Sequence, residues 1–379
     1  MKSTYLATRI RTSFLLIAFA GALTACGDKT GEQSAESAVD QASTETATND
    51  RGIAYVSNQD GNVTIIDLNT METTGSIDPK GNGVRGIGIT PDGKLLVTAN
   101  KDEGNISILD TATGQLIQHV EIGKNPEFVR VVGDTAYVSF EPSSKGGPPP
   151  KPGEAVHEED DDDDEIEEPA RIAIVDLKQG KKLREIIGGP ETEGIEFSHD
   201  GTKLIITNEA DNTVTIHNIE TGELVKTIDT KDIGIRPRGI KAAPDGSAYV
   251  STLEFGNNFL VLDSEFNVVR TVPTGEAPYG IAYNRAGDLI YVASGKAKTL
   301  EVFNAKTYEK VKEVATGDRC WHFTFTPDDK EILLACGRSH EVLVIDTDKL
   351  EVTKRIGDKE LPWGVIAYPK SVGSLDAPQ

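Results

Sequence analysis

Residues 53–70 read IAYVSNQDGNVTIIDLNT, and the pattern returns as LLVTANKDEGNISILDTAT at 95–113, LIITNEADNTVTIHNIET at 204–221 and LIYVASGKAKTLEVFNAKT at 289–307. Each copy holds two apolar runs of strand length around a tight turn rich in Gly, Asn and Asp. The residue closing the second run falls at Asp67, Asp110, Asp176, Asn218, Asp263, Asn304 and Asp346, in steps of 43, 66, 42, 45, 41 and 42. With one insertion of about 24 residues set aside, the period is about 42. A β-repeat of about 40–45 residues is the signature of a propeller with four strands to a blade. One such unit cannot bury both faces of its sheet, so the units must stack radially.

The expected fold is therefore all-β, a seven-bladed β-propeller of four-stranded blades. The repeat also predicts how the ring closes. The domain opens on a second strand at 52–57 and ends on an inner strand at 364–368, so the last strand should complete the first blade. A ring closed in this way leaves only short, protected edges. The domain layout expected is a leader at 1–25, a tether at 26–50, the propeller at 51–370 with an insertion at 141–169, and a tail at 371–379.

Composition agrees with a large folded domain. Of 379 residues 37 % are hydrophobic, too many for a disordered chain, and the formal charge is −22. That charge speaks against coating a nucleic acid, because two polyanions would meet. Three cysteines are too few for a disulfide-stapled scaffold. No nucleophile–base signature, phosphate loop or zinc-protease helix is present. The short Gly-rich pieces, Gly81-Asn82-Gly83 among them, recur at blade period and read as turns.

The N-terminus reads as an address. Lys2, Arg9 and Arg11 precede a short apolar run at 14–22 and the sequence Leu23-Thr24-Ala25-Cys26. Such a run is far below the roughly 20 residues a spanning helix needs and suits a signal peptide. Small residues ending at a cysteine resemble the bacterial lipobox. The resemblance implies cleavage before Cys26 and a lipid on its sulfur, with export into an oxidising compartment. The polar stretch 27–50 reads as a flexible tether. The expected location is the bacterial cell envelope, facing the periplasm. Gly27 after the cysteine favours the outer membrane by resemblance to known sorting preferences.

The blade units themselves (AYVSN, VTIID, PDGK) resemble the YVTN-type repeats of seven-bladed propellers in bacterial surface and periplasmic proteins. These are related in fold to the haem-d1 domain of cytochrome nitrite reductases. The resemblance covers essentially all of 51–379 and is specific for fold rather than for activity.

In this strand order the loops leading into inner strands share one face with those joining second to third strands. By alignment on a Pro-x-Gly pattern, the inward loops should bring Arg85, Glu127, Glu193, Arg238, Tyr279, Trp321 and Trp363 around the channel mouth. Two Arg, two Glu and three aromatics suit a planar or anionic small molecule or an extended peptide. Equally, the Arg and Glu could pair with one another while the aromatics plug the pore. Asp60, Asp102, Glu103, Glu209, Asp211 and Glu254 are expected as exposed acids on the same face.

One inward loop departs from the pattern, as Cys320-Trp321-His322, and its partner strand ends at Cys336 with His340 beyond. A hairpin turning at Asp328–Asp329 places the two sulfurs within about one residue of register, close enough for a disulfide. The alternative is a soft metal site for copper or zinc on Cys320, His322, Cys336 and His340. His322 alone could serve as an axial haem ligand, by analogy with the related haem-d1 domain. His119, His199 and His217 are expected as surface residues.

The insertion carries His157 and a run of acids at 158–168, a self-repelling, solvated segment. It could gather Ca²⁺ weakly, dock a basic partner such as a small cytochrome, or act only as a solubiliser. Three function classes follow. The first is a non-enzymatic, membrane-anchored binding propeller, taken as monomeric and without a nucleic-acid partner. The second is a redox protein holding haem or copper. The third is a propeller lactonase or isomerase using Arg85, Arg238, Glu193 and His322.

Overall fold

Seven four-stranded antiparallel sheets follow one another along the chain. The structure is a computed structural model that describes residues 51–142 and 168–377, all within one unit spanning 49–379. Blades 2 to 7 each use four consecutive strands, innermost first, with inner strands Val84–Ile89, Val129–Val132, Thr192–Phe197, Pro237–Ala242, Pro278–Tyr283 and Cys320–Phe325. Blade 1 is composite. Its inner strand Pro362–Tyr368 pairs with Ile53–Asn58, placing Ile53 opposite Tyr368 and Tyr55 opposite Ile366, so the C-terminus closes the ring. In blade 5, for example, Ala248–Leu253, Asn258–Asp263 and Val268–Pro273 follow the inner strand.

Burial explains the apolar pattern. Second and third strands lie between neighbouring sheets and are covered on both faces, as in Leu95–Asn100 and Asn105–Asp110. Both therefore carry continuous apolar runs. Outer strands such as Glu72–Ile77 face solvent and are mostly polar. The small hydroxyl residue near the end of the second strand ties one blade to the next. Ser57, Thr207 and Thr252 each donate to a carbonyl of the following blade's inner strand, at Arg85 (2.6 Å), Arg238 (2.7 Å) and Tyr279 (2.6 Å). The Asn beside it holds the strand end: Asn208 Nδ2 donates to Thr213 and Thr215 at 3.0 Å. The repeat motif is thus a set of inter-blade fastenings.

Inner strands crowd the axis, and this is why glycine follows the mouth residue. A Cβ on Gly239 would lie 2.6 Å from the Tyr279 carbonyl oxygen, and one on Gly280 would lie 2.4 Å from that of Trp321. Blades 3 and 7 carry Phe128 and His322 at this place instead.

The segment after the last strand, expected as a tail, packs across the far ends of the inner strands. Val372 accepts from the Phe325 N–H at 3.2 Å, and Ser371 donates to the Thr326 carbonyl at 3.1 Å. Asp376 accepts from the Ile89 N–H at 2.8 Å and the Val131 N–H at 2.7 Å. One buried carboxylate so joins two inner strands to the C-terminus. The leader, Cys26 and the tether at 26–50 lie outside the described residues, as do residues 143–167 of the insertion. Among the described residues, no helix is long and apolar enough to cross a membrane.

Candidate functional site at the channel mouth

The inward loops converge because each inner strand starts beside the axis, and one side chain near that start lies at the mouth. Arg238 lies at the centre of the resulting network. Its Nε donates to Glu254 at 2.7 Å, and its Nη1 pairs with both Glu193 and Glu209. Its planar fork suits several carboxylates at once. Arg236 pairs with Glu209 and reaches Glu254 at 3.7 Å, and Arg319 approaches Glu254 at 3.8 Å. Tyr279 donates its hydroxyl to Glu193 at 3.1 Å while the Arg238 guanidinium stacks 4.9 Å over its ring. Across the mouth, Arg85 pairs with Glu127 and donates to Gln59 at 3.1 Å.

Charge balance follows from these contacts. Burial alone would lower the Arg238 guanidinium, but Glu193 and Glu254 outweigh it and hold the pKa above the ordinary value. Burial would raise Glu193, yet Arg238 and Arg85 keep it below the usual carboxylate range. The opposite happens one blade away. Burial, only partly offset by Arg85, pushes Glu127 up to about 7. Burial and the neighbouring carboxylates of Glu127 and Glu193 push Glu141 up to about 9.

Aromatic rings fill the centre. The His322 ring lies 4.5 Å from that of Trp363, 5.1 Å from Tyr279 and 6.0 Å from Phe128, and Trp321 is buried at the same rim. Burial drives the His322 pKa down to about 3, so the imidazole is neutral, and its Nε2 has no hydrogen-bond partner.

All seven residues expected at the mouth lie on the inner strands or their entries, and the structure brings together Arg238, Glu193 and Tyr279 on one side and Arg85 with Glu127 on the other. Two expectations need correction. Glu209 and Glu254 are buried ion-pair partners of Arg238, because their loops fold inward against it. His217 is buried between sheets on a third strand, with Nδ1 3.3 Å from the Gly222 carbonyl oxygen.

Cys320 and Cys336 face each other in register and form a disulfide. The two thiolates of the copper or zinc reading are thereby consumed. His340 is exposed on the flank, its Nδ1 3.0 Å from the Lys359 carbonyl oxygen, so the four-ligand set does not assemble. Among the described residues, no group of three or more His, Cys, Asp or Glu is placed to hold a metal ion. A haem on His322 has an unpartnered nitrogen in its favour. The packing does not fit one, because Phe128, Tyr279 and Trp363 occupy the space a macrocycle would need. The Ca²⁺ expectation rests on the acid run at 158–168, which apart from Glu168 lies outside the described residues.

Sequence reading missed Phe128 and Glu141. The signal for Phe128 is the loss of glycine from the Pro-x-Gly pattern, shared with His322; Glu141 carried none. Open space among the described residues of this face includes a polar cleft of about 720 Å³ between loops of blades 1 and 2, lined by Gln59, Asp60, Asp78, Lys80, Asp102 and Glu360 among others.

The far end of the channel holds a second charged cluster. Arg130 pairs with Glu196 at 3.0 Å, Lys241 approaches Glu196 at 3.6 Å, and Lys370 pairs with Asp376 at 2.8 Å. Burial and the adjacent Arg130 bring Lys241 down to about 8.

Known proteins place this architecture. Residues 29–133 match the model of the cytochrome D1 heme domain, a stretch that ends well before Cys320 and His322. Hydrazine synthase from Kuenenia stuttgartiensis is similar at 20 % identity and a TM-score of 0.64, over 79 % of this chain and 93 % of that one. A functionally unknown protein from Desulfotomaculum acetoxidans superposes with a TM-score of 0.68 at 17 % identity, over 83 % and 98 %. The periplasmic gluconolactonase of Pseudomonas aeruginosa does so with a TM-score of 0.65 at 15 % identity, again over 83 % and 98 %. No curated protein matches. The chain is a seven-bladed β-propeller related in fold to the cytochrome D1 heme domain.

Proposed function

We propose that this protein is a non-enzymatic binding propeller, tethered to the bacterial envelope through Cys26, that receives a ligand or protein partner at its channel mouth. The convergence of Glu127, Glu141, Glu193, Glu209 and Glu254 with Arg85, Arg236 and Arg238 at one end of the axis carries this reading. Buried ion pairs are poor stabilisers compared with apolar packing. A ring already closed by hydrophobic sheets has little structural need for so many. The exposed acids Asp60, Asp102 and Glu103 extend the negative rim and suit a basic partner such as a small cytochrome.

A redox role is the second reading, favoured by the cytochrome D1 heme domain match and the unpartnered His322 nitrogen. It requires Trp363, Tyr279 and Phe128 to swing away. A lactonase role would need Arg238 and Glu193 free to act on substrate, whereas both are held in the ion-pair network.

One preparation tests all three. Trp321 and Trp363 are the only tryptophans of the chain and both lie at the mouth, so intrinsic fluorescence reports occupancy there. For protein purified from its native envelope, the binding reading expects a colourless sample, no lactone hydrolysis, and a saturable fluorescence change with one class of ligand or with a basic cytochrome. Arg85→Ala should weaken that change. Stoichiometric haem or metal, or turnover of a lactone, would overturn it.

A further inference from the structure

One side of the mouth holds more acceptors than donors. Asn125 Nδ2 donates to Glu127 Oε1 at 3.2 Å and to Glu141 Oε2, and Arg85 donates to that same Glu127 oxygen. The remaining acceptors, Glu127 Oε2 and Asn125 Oδ1, are buried and have no partner. Glu127 is 4 % exposed and Asn125 9 %, so neither relies on bulk water. A buried acceptor without a donor is costly and rare, and here two occur beside a second carboxyl group.

From this geometry we infer that Asn125, Glu127 and Glu141 form a subsite for a protonated nitrogen, an ammonium or guanidinium, on whatever the mouth receives. The inference rests on the mouth being the binding face and specifies its ligand chemistry. Such a group brings several N–H donors and one positive charge. It would satisfy both unpartnered oxygens while compensating the Glu127 and Glu141 pair. The groups facing the subsite are Arg85, Lys101 and Arg238, which favour ionised carboxylates, and Glu191 and Glu193, which oppose them. No hydrogen bond joins the Lys101 side chain to any of the three residues, although its charge reaches Glu127.

An unloaded subsite keeps a proton on Glu141, since burial and the neighbouring carboxylates hold it there up to about pH 9. A cationic nitrogen takes over that proton's role, and the proton leaves to solvent. Affinity for an amine should therefore rise with pH until the amine itself deprotonates. Two sources share this chemistry, a small free amine and a lysine side chain of a basic protein.

The test uses the full-length lipoprotein, titrated calorimetrically at pH 7.5 in two buffers of different ionisation enthalpy. The probes are n-butylammonium, tetramethylammonium, Ca²⁺ and a tetralysine peptide. The expected result is saturable butylammonium binding with proton release, and at least tenfold weaker binding of tetramethylammonium, which has charge but no N–H. Glu141→Gln mimics the protonated acid and so preserves folding. It should remove proton release and weaken butylammonium at least tenfold, as should Glu127→Gln. Tetralysine with the same dependence assigns the nitrogen to a protein partner, and its failure beside successful butylammonium assigns it to a small amine. Equal binding of both ammonium ions, tighter binding of Ca²⁺, or full binding to Glu141→Gln overturns the inference. If amines fail while another ligand class shifts tryptophan fluorescence, the subsite falls and the binding face stands. If no ligand shifts it, the binding face falls as well.

Discussion

The two ends of the central channel are built from the same seven inner strands, yet acidic side chains outnumber basic ones at one end and basic ones outnumber acidic at the other. At the mouth, Glu127, Glu141, Glu193, Glu209 and Glu254 outnumber Arg85, Arg236, Arg238 and Arg319. At the floor, Arg130, Lys241 and Lys370 outnumber Glu196 and Asp376. The floor is closed by the chain itself, because Asp376 takes backbone N–H groups from two blades. The mouth has no such covering segment among the described residues, and its unpaired acceptors remain. Both ends keep buried polar atoms without a hydrogen-bond partner, donors at the floor (Arg130 Nε, Lys241 Nζ) and acceptors at the mouth (Glu127 Oε2, Asn125 Oδ1). Only the floor is covered by the chain's own C-terminus, and that difference favours the mouth as the end open to a ligand.

The largest expected effect is at the floor. Asp376→Ala leaves Lys370 and the Ile89 and Val131 N–H groups buried without their partner, and should cost about 3–5 kcal/mol. Urea unfolding measures this, and a loss under 1 kcal/mol would mean the C-terminus is not a closing device. Next comes the disulfide. Cys320 and Cys336 are 16 residues apart, and opening a loop of that size by Cys336→Ser should remove roughly 3 kcal/mol. The same loss should appear in wild-type protein under a strong reductant.

A pH series sharpens the contrast, because the two ends should respond in opposite directions. Glu127 and Glu141 are raised to about 7 and about 9, so their contribution is full below the ordinary carboxyl pKa and is lost as pH climbs through those values. Lys241 is lowered to about 8; the cost of burying its charge is present below that pH and is relieved as pH rises from about 8 toward the ordinary lysine value. Between pH 8 and 10, amide exchange corrected for intrinsic rate should speed up around Phe128 and Ser139 at the mouth. It should slow, or stay constant, at Ile89 and Val131 at the floor. Parallel changes at both ends would show that the channel opens as one unit.

The smallest effect is expected at the exposed rim. Lys298 and Asp318 pair at 3.1 Å with both side chains about half exposed. Lys298→Ala should change stability by under about 1 kcal/mol, and less in high salt. A larger loss would mean that rim charges are coupled to the buried network.

Much of this molecule is legible in its amino-acid sequence. Blade number, strand order and closure by residues 364–368 follow from a repeat whose side chains alternate between packed faces. The approach of Cys320 to Cys336 follows from counting along one hairpin, since register within a hairpin is local. The ring of mouth residues was legible because one position per period must start beside the axis. What occupies the centre was harder to see. Glu209 and Glu254 looked like ordinary loop acids, and Asp376 looked like part of a loose tail.

The sequence alone determined that seven alike sheets stand around an axis, because periodicity and apolar alternation act over a few dozen residues. Only the tertiary structure decided which charges meet on that axis. Arg130 and Glu196, or Val131 and Asp376, come from distant points in the chain, and no local pattern marks them as partners. Radial convergence brings them together in a water-poor interior, where each charge or hydrogen-bonding group must be matched or left as a site.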